Sequence, residues 1–327
     1  MSSYQDFAIA KAINAGLAKA MQKDSKVLVF GEDVAQLGGV FRVTEGLLNE
    51  FGPDRVFNSP IAESGIVGTA IGLAMRGYRP VAEIQFDGFV FPAFNQITTQ
   101  LAKLTYRSEG YLEMPVVIRI PYGGGIGAVE HHSESPEAYF AHTAGLRILA
   151  PSNPNDAYWM IQQAIESKDP VIFFEPKRRY WQKGPVNLDT PPLPPHSARV
   201  LVEGNQVTLV AHGPMVTHAI QAAELGREEG VSIEVVDLRS LNPVDYPTIL
   251  ASVQKTGRLI IAQEAPTNVS LGSEIAARVA EAAFFHLEAP VIRVGGFDTP
   301  YPPAKLEEIY LPDADRILEA VDRVMAY

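Results

Sequence analysis

Cysteine is absent from this chain. Disulfides, a thiol nucleophile and thiolate-held metals are therefore excluded, and a reducing compartment fits. Positive charge is also short: 27 Lys and Arg stand against 38 Asp and Glu, a formal charge of −11. Such a surface argues against nucleic acid and anionic membranes as partners and suits docking to a basic protein. No apolar run approaches the length of a membrane span. The first ten residues, Met-Ser-Ser-Tyr-Gln-Asp-Phe-Ala-Ile-Ala, lack the basic flank and apolar core of a signal peptide. The expected location is the cytoplasm. Periodicity is missing over 184–195, where Pro185, Pro191, Pro192, Pro194 and Pro195 crowd together. That segment reads as an extended linker.

What is present suits a globular protein of two domains: 327 residues, 46% apolar and 20% charged. Phe7, Ile9, Ala10, Ile13, Leu17 and Met21 recur at helical spacing and predict a helix over 4–21. Strands are expected at 27–30, 80–86, 116–120, 147–150 and 171–175, with helices near 44–50, 92–107 and 155–167. Beyond the linker the alternation resumes, with strands at 207–211, 232–236, 258–263 and 291–294 and helices at 215–227 and 271–284. Such alternation implies parallel sheets covered on both faces, so the fold class is α/β with two parallel-sheet domains. The expected boundaries are 1–184 for the first domain, 185–198 for the linker and 199–327 for the second. Ligands of such sheets gather at the carboxyl ends of strands, where Glu32, Gln85 and the loop from Gly123 fall. The second domain has no phosphate-binding glycine loop, and its His212, His218 and His286 are scattered. It reads as an assembly domain.

The segment 58–75, Asn-Ser-Pro-Ile-Ala-Glu-Ser-Gly-Ile-Val-Gly-Thr-Ala-Ile-Gly-Leu-Ala-Met, sets Glu63 among apolar neighbours at the mouth of a glycine-bearing helix. A carboxyl held away from water keeps its proton longer, the state needed to protonate a heterocycle. The plainer reading makes Ser59 an N-cap, Pro60 the first helical residue and Glu63 a first-turn acid. Gly65, Gly68 and Gly72 share one helix face, and each costs roughly 1 kcal/mol against alanine. Something must approach that face closely, a second helix or a subunit backbone.

Gly123-Gly-Gly-Ile-Gly-Ala128 matches a dinucleotide pattern, but it runs into Glu130-His-His-Ser-Glu-Ser135 rather than an apolar helix, which argues against that use. His131 and His132, being adjacent, lack the spacing of a helical zinc site. They stand either for acid/base work or for a pair of surface loop histidines. Glu307, Glu308, Asp313, Asp315, Glu319 and Asp322 form either a solvated face or an electrostatic docking patch.

Taken together, seven motifs resemble one family. They are Phe30-Gly-Glu-Asp-Val34, Phe57-Asn-Ser-Pro-Ile-Ala-Glu-Ser-Gly65, Glu83-Ile-Gln-Phe86, Phe89-Val-Phe-Pro-Ala-Phe-Asn-Gln96, Pro121-Tyr-Gly-Gly-Gly125, His132-Ser-Glu-Ser135 and Pro170-Val-Ile-Phe-Phe-Glu-Pro176. The family is the beta subunit of the thiamine-diphosphate-dependent decarboxylating component of 2-oxo-acid dehydrogenase complexes. The resemblance covers nearly the whole chain, with a pyrimidine-binding domain followed by a transketolase-type C-terminal domain. It implies an α2β2 heterotetramer whose alpha subunit supplies the Mg2+ and diphosphate ligands. This chain has no Gly-Asp-Gly with a following Asn-Asn, the motif that one-chain relatives carry.

The same resemblance implies the residue roles. Glu63 matches the glutamate that activates the aminopyrimidine, with Ile61 and Ala62 lining the ring. Glu32 and Gln85 match further pyrimidine-side contacts. Phe89 matches an aromatic position beside the ring, and Phe89, Val90, Phe91 and Pro92 lie near bound substrate. His132 matches the catalytic histidine, and His131 is its lesser neighbour. Glu134 departs from the glutamine of many relatives. Relatives often hold a structural K+, for which Val116, Ala164, Ile165, Ser167 and Asp169 are generic matches.

The implied chemistry is oxidative decarboxylation of a 2-oxo acid, with the acyl group passed to a lipoyl arm of the dihydrolipoyl acyltransferase. The 89–96 and 173–177 segments look closer to branched-chain relatives, with pyruvate and acetoin enzymes as alternatives. A noncatalytic assembly subunit is the competing class, against which the intact Glu63 and His132 argue. The acyltransferase is expected to dock on Glu307, Glu308, Asp313, Asp315 and the carboxylate of Tyr327.

Overall fold

A computed structural model describes residues 4–189 and 193–327. Two mostly parallel sheets carry it. The first has seven strands in the order Ser240–Asn242, Arg147–Leu149, Val171–Pro176, Val117–Tyr122, Arg79–Glu83, Val27–Gly31 and Val56–Asn58. All its pairings are parallel except the antiparallel edge strand Ser240–Asn242. The second has five, Ile292–Gly296, Leu259–Pro266, Val207–Ala211, Ile233–Asp237 and Arg199–Val202, the last antiparallel. Central strands such as Val27–Gly31 and Val117–Tyr122 are buried throughout. That is why they read as unbroken apolar runs rather than alternating ones.

Several expectations change. Tyr4–Ala8 is a strand, not the first turns of a helix, because it pairs antiparallel with Lys183–Asn187. The helix proper is Ile9–Lys23. The predicted linker therefore begins inside a strand, and its residues 190–192 lie outside the described residues. The predicted 92–107 helix is a 3-10 turn Asp87–Ala93, a π segment Gln96–Leu101 and a short α-helix Ala102–Arg107. Pro92 sits inside the first turn, and the Thr98 hydroxyl donates to the Phe94 carbonyl, which competes with regular helix bonding. Short edge strands Val56–Asn58, Arg199–Val202 and Ser240–Asn242 escaped the periodicity, as did the helices Tyr246–Thr256 and Ala314–Met325.

Not all of the acidic C-terminus is available to dock a partner. Glu307 is buried, and Asp313 caps the helix Ala314–Met325 by accepting from the Arg316 amide at 2.9 Å. Glu308, Asp315 and Tyr327 remain exposed. A Cβ added at Gly68 or Gly72 would meet nothing of this chain within 4 Å, so that stripe faces outward.

A buried ion cluster ties the middle of the first sheet. Arg119 donates to Glu175 at 2.6 and 2.9 Å and to Glu83 at 2.5 Å, across three neighbouring strands. The fork geometry of a guanidinium allows this double reach, which a lysine lacks.

Candidate active site

Four neighbouring strands of the first sheet end side by side, and each delivers a site residue at its carboxyl end. Val117–Tyr122 leads into the loop bearing His132, Arg79–Glu83 into Gln85, Val27–Gly31 into Glu32, and Val56–Asn58 into Glu63. Glu32, Gln85, Glu63 and the loop of His132, up to 100 positions apart in sequence, thus lie at one end of the sheet.

Glu63 opens the helix Glu63–Met75, with Ala62 at the cap position and no side-chain cap. Ser59 is therefore not the N-cap; its amide donates to Gly31 O at 2.8 Å, holding the approach to the helix against the neighbouring strand. Glu63 is half-buried and Ile61 is 85% exposed, so this chain alone does not enclose the carboxylate. The desolvated acid is Glu32: it is buried, and its Oε1 has no partner. Burial first, then the charges of Glu63, Asp33 and Glu83, push its carboxyl above the ordinary range. Gln85 donates to Glu32 O at 3.4 Å and to Asp33 Oδ2 at 3.3 Å.

His132 stands in an aromatic box, its ring 4.2 Å from Phe86 and 5.0 Å from Phe89 between centroids. Its Nδ1 is buried without a partner. Burial, then His131 and Lys177, lower its pKa, so the ring is neutral near pH 7. His131 is exposed, which separates the pair. The 89–92 stretch divides too. Phe89 faces His132, Val90 is fully buried in the core, Phe91 packs on Tyr139 at 5.6 Å, and Pro92 is exposed.

Two residues that sequence reasoning did not single out hold the histidine. Lys177 Nζ donates to His132 O at 2.6 Å and forms a buried ion pair with Asp87. Asp87 in turn accepts from the Glu134 amide at 2.8 Å. Burial pushes Asp87 up and Lys177 down, and each partner's charge opposes the other's shift. Gly88 is required by close approach, since a Cβ there would lie 2.5 Å from His131 O. The sequence signal for these residues was only a charged group after each strand. Glu134 is pushed up by burial, Asp87 and Glu130.

Residues 5–182 match the model of the transketolase pyrimidine-binding domain, and 196–317 that of the transketolase C-terminal domain. A pyruvate dehydrogenase E1 component subunit beta of Leifsonia xyli subsp. xyli is 68% identical over 99% of this chain and 96% of its own. The chain belongs to the family of beta subunits of thiamine-diphosphate-dependent 2-oxo-acid dehydrogenases. A 3-methyl-2-oxobutanoate dehydrogenase subunit beta of Mycobacterium tuberculosis is 52% identical over 98% of this chain and 92% of its own. Among solved structures, a split-gene transketolase described as an inactive beta4 tetramer superposes with a TM-score of 0.79 at 25% identity, covering 98% of both chains.

At these strand ends two buried polar atoms, Glu32 Oε1 and His132 Nδ1, have no hydrogen-bond partner, and they fit a polar heterocycle of the kind this family's cofactor carries. Among the described residues, no group of three or more His, Asp and Glu side chains could hold a metal ion. Each candidate potassium carbonyl accepts a hydrogen bond within the chain. Val116 O accepts from Val171 N, Ala164 O from Ser167 N, and Asp169 O from the Ser167 hydroxyl. Arg79 donates to Ile165 O at 2.8 Å and Ser167 O at 3.2 Å. No helix among the described residues is long and apolar enough to cross a membrane.

Proposed function

We propose that this chain is the cytoplasmic beta half of a branched-chain 2-oxo-acid dehydrogenase, working with an alpha subunit in an α2β2 tetramer. In this reading the alpha subunit supplies the Mg2+ and diphosphate ligands, and a dihydrolipoyl acyltransferase receives the acyl group. The observation that carries it is the row of His132, Gln85, Glu32 and Glu63 along adjacent strand ends. When bound, thiamine diphosphate supplies the carbon that adds to the 2-oxo group and takes up the electron pair freed with carbon dioxide.

The chain's own residues bind, orient and move protons. Glu63 carries a proton to and from the pyrimidine on its carboxylate, from its place at the start of the helix Glu63–Met75. Glu32, pushed above the ordinary carboxyl range by burial and then by the charge of Glu63, is a second acid on the same side of the ring. Phe86 and Phe89 shield the neutral His132 ring, which accepts a proton during acyl transfer and returns it.

The Phe86 and Phe89 wall supports a substrate with added methyl groups. A second reading, pyruvate, is favoured by the name of the Leifsonia relative, more similar at 68% than the branched-chain one at 52%. Reconstitution with the alpha subunit and comparison of kcat/KM for 3-methyl-2-oxobutanoate and pyruvate decides between them. Each methylene in an apolar pocket is worth about 1–3 kcal/mol, so a tens-fold preference for the branched acid is expected. Substantial decarboxylation by the purified beta chain alone would sink the shared-site reading. In the tetramer, Glu63→Gln should nearly abolish exchange of the cofactor's C2 proton while leaving assembly intact.

A further inference from the structure

The glycine-rich loop after the strand Val117–Tyr122 is already filled, and by the other domain. Gly123, Gly125 and Gly127 take φ of 82°, 83° and 71°, conformations that glycine adopts without strain. Such runs turn backbone N–H groups into a concavity that binds anions. Gly124 N donates to Glu264 Oε1, Gly125 N to Glu307 Oε1 at 2.8 Å, and Gly127 N to Glu307 Oε2 at 2.9 Å. The Tyr301 hydroxyl adds a bond to Glu307 Oε1 at 2.7 Å. Glu264, Tyr301 and Glu307 are all buried. Side chains on the loop are excluded: a Cβ on Gly124 would lie 1.8 Å from the Tyr301 oxygen, and one on Gly125 2.2 Å from Arg178 Cδ.

The far end of this loop is tied to the first domain, through Lys177 to His132 O and Asp87 to the Glu134 amide. Between the two ties Ile126 is 39% exposed and Val129 46%, so little packing steadies the middle. His132 thus hangs on a loop whose start is held by the C-terminal domain and whose end is held by the pyrimidine-type domain.

We propose that Glu307 is a positioning residue for His132, holding the glycine loop so that the imidazole is placed for acyl transfer. The proposal rests on the role given to His132 above. It also gives the C-terminal domain a part in the chemistry beyond assembly. Carboxylate is the right group for the task, since each oxygen accepts one backbone N–H and the charge strengthens both bonds.

The test uses the reconstituted tetramer and two assays, decarboxylation with an artificial electron acceptor and acyl transfer to a lipoyl domain. Glu307→Ala should leave the first nearly unchanged and slow the second by about 10²-fold, the scale of a misplaced reacting group. Formate, small enough to enter the vacated N–H cradle, should restore part of the transfer. A Glu307→Ala tetramer that transfers at the wild-type rate, or whose loss is equal in both assays and indifferent to formate, overturns the proposal. Should that variant not assemble, Tyr301→Phe removes one bond to Glu307 and keeps the carboxylate; a several-fold selective loss supports the proposal, and unchanged transfer overturns it. His132→Ala is run beside them. If it leaves transfer intact, the reading of His132 fails; if it alone is selective, only the positioning role of Glu307 fails.

Discussion

Glu137 offers a test of the electrostatics between the two domains. It opens the short helix after the His132 loop, is 1% exposed, and neither carboxylate oxygen has a hydrogen-bond partner. His212, at the end of the strand Val207–Ala211, faces it at 3.7 Å, and Tyr122, Glu264 and Asp87 add their fields. Burial pushes Glu137 up to about 8 and His212 down to about 4. At neutral pH the pair is therefore a protonated acid beside a neutral imidazole. Between the ordinary carboxyl value and about 8, the folded chain holds a proton that the unfolded chain has released. Stability must fall as pH rises through that interval. His212 acts oppositely: the unfolded imidazole binds a proton below its ordinary value, so its share is lost as pH falls from about 6.5 towards 4. Asp237, raised to about 7, adds an effect of the same sign as Glu137. At about 1.4 kcal/mol per pH unit, Glu137 should cost about 2 kcal/mol between pH 6.5 and 8. Glu137→Gln is isosteric and cannot ionise. The variant's stability relative to wild type should therefore rise by that amount over the interval, with Asp237 cancelling in the comparison. Urea unfolding of the purified chain at half-unit pH steps reads it. Parallel curves for the two proteins across pH 6.5–8.5 would refute the buried neutral acid.

Three further outcomes are expected. Lys177→Met leaves Asp87 buried without its countercharge and should cost about 3–5 kcal/mol in urea unfolding, with added Asp87→Asn recovering part of it. His131→Ala should be milder than His132→Ala in the lipoyl transfer assay, because His131 is exposed while His132 is boxed by Phe86 and Phe89; equal, mild effects would return both to a surface role. Reversing exposed Glu308 and Asp315 to lysine should weaken acyltransferase binding and its salt dependence, read by titration at low and physiological ionic strength; indifference to both would move docking elsewhere.

Much of the fold was legible because its physics is local. Buried parallel strands are unbroken apolar runs, and Val207–Ala211 lies where those residues alone predict it. The strand-end places of Glu32, Gln85 and the loop that carries His132 were legible because each follows a predicted strand, where such sheets take ligands. Glu63 was singled out by its motif alone, the strand before it being too short to show. Tyr4–Ala8 was misread because its strand state depends on a partner, Lys183–Asn187, at the other end of the domain. Glu307 was read as surface charge because nothing nearby in sequence shows the glycine amides it meets some 180 residues away. Which acid is desolvated, Glu32 rather than Glu63, likewise follows from what packs over each one. Hydrophobic period and strand order are written along the chain; burial, pairing and the field at a carboxyl arise only when distant segments exclude water together.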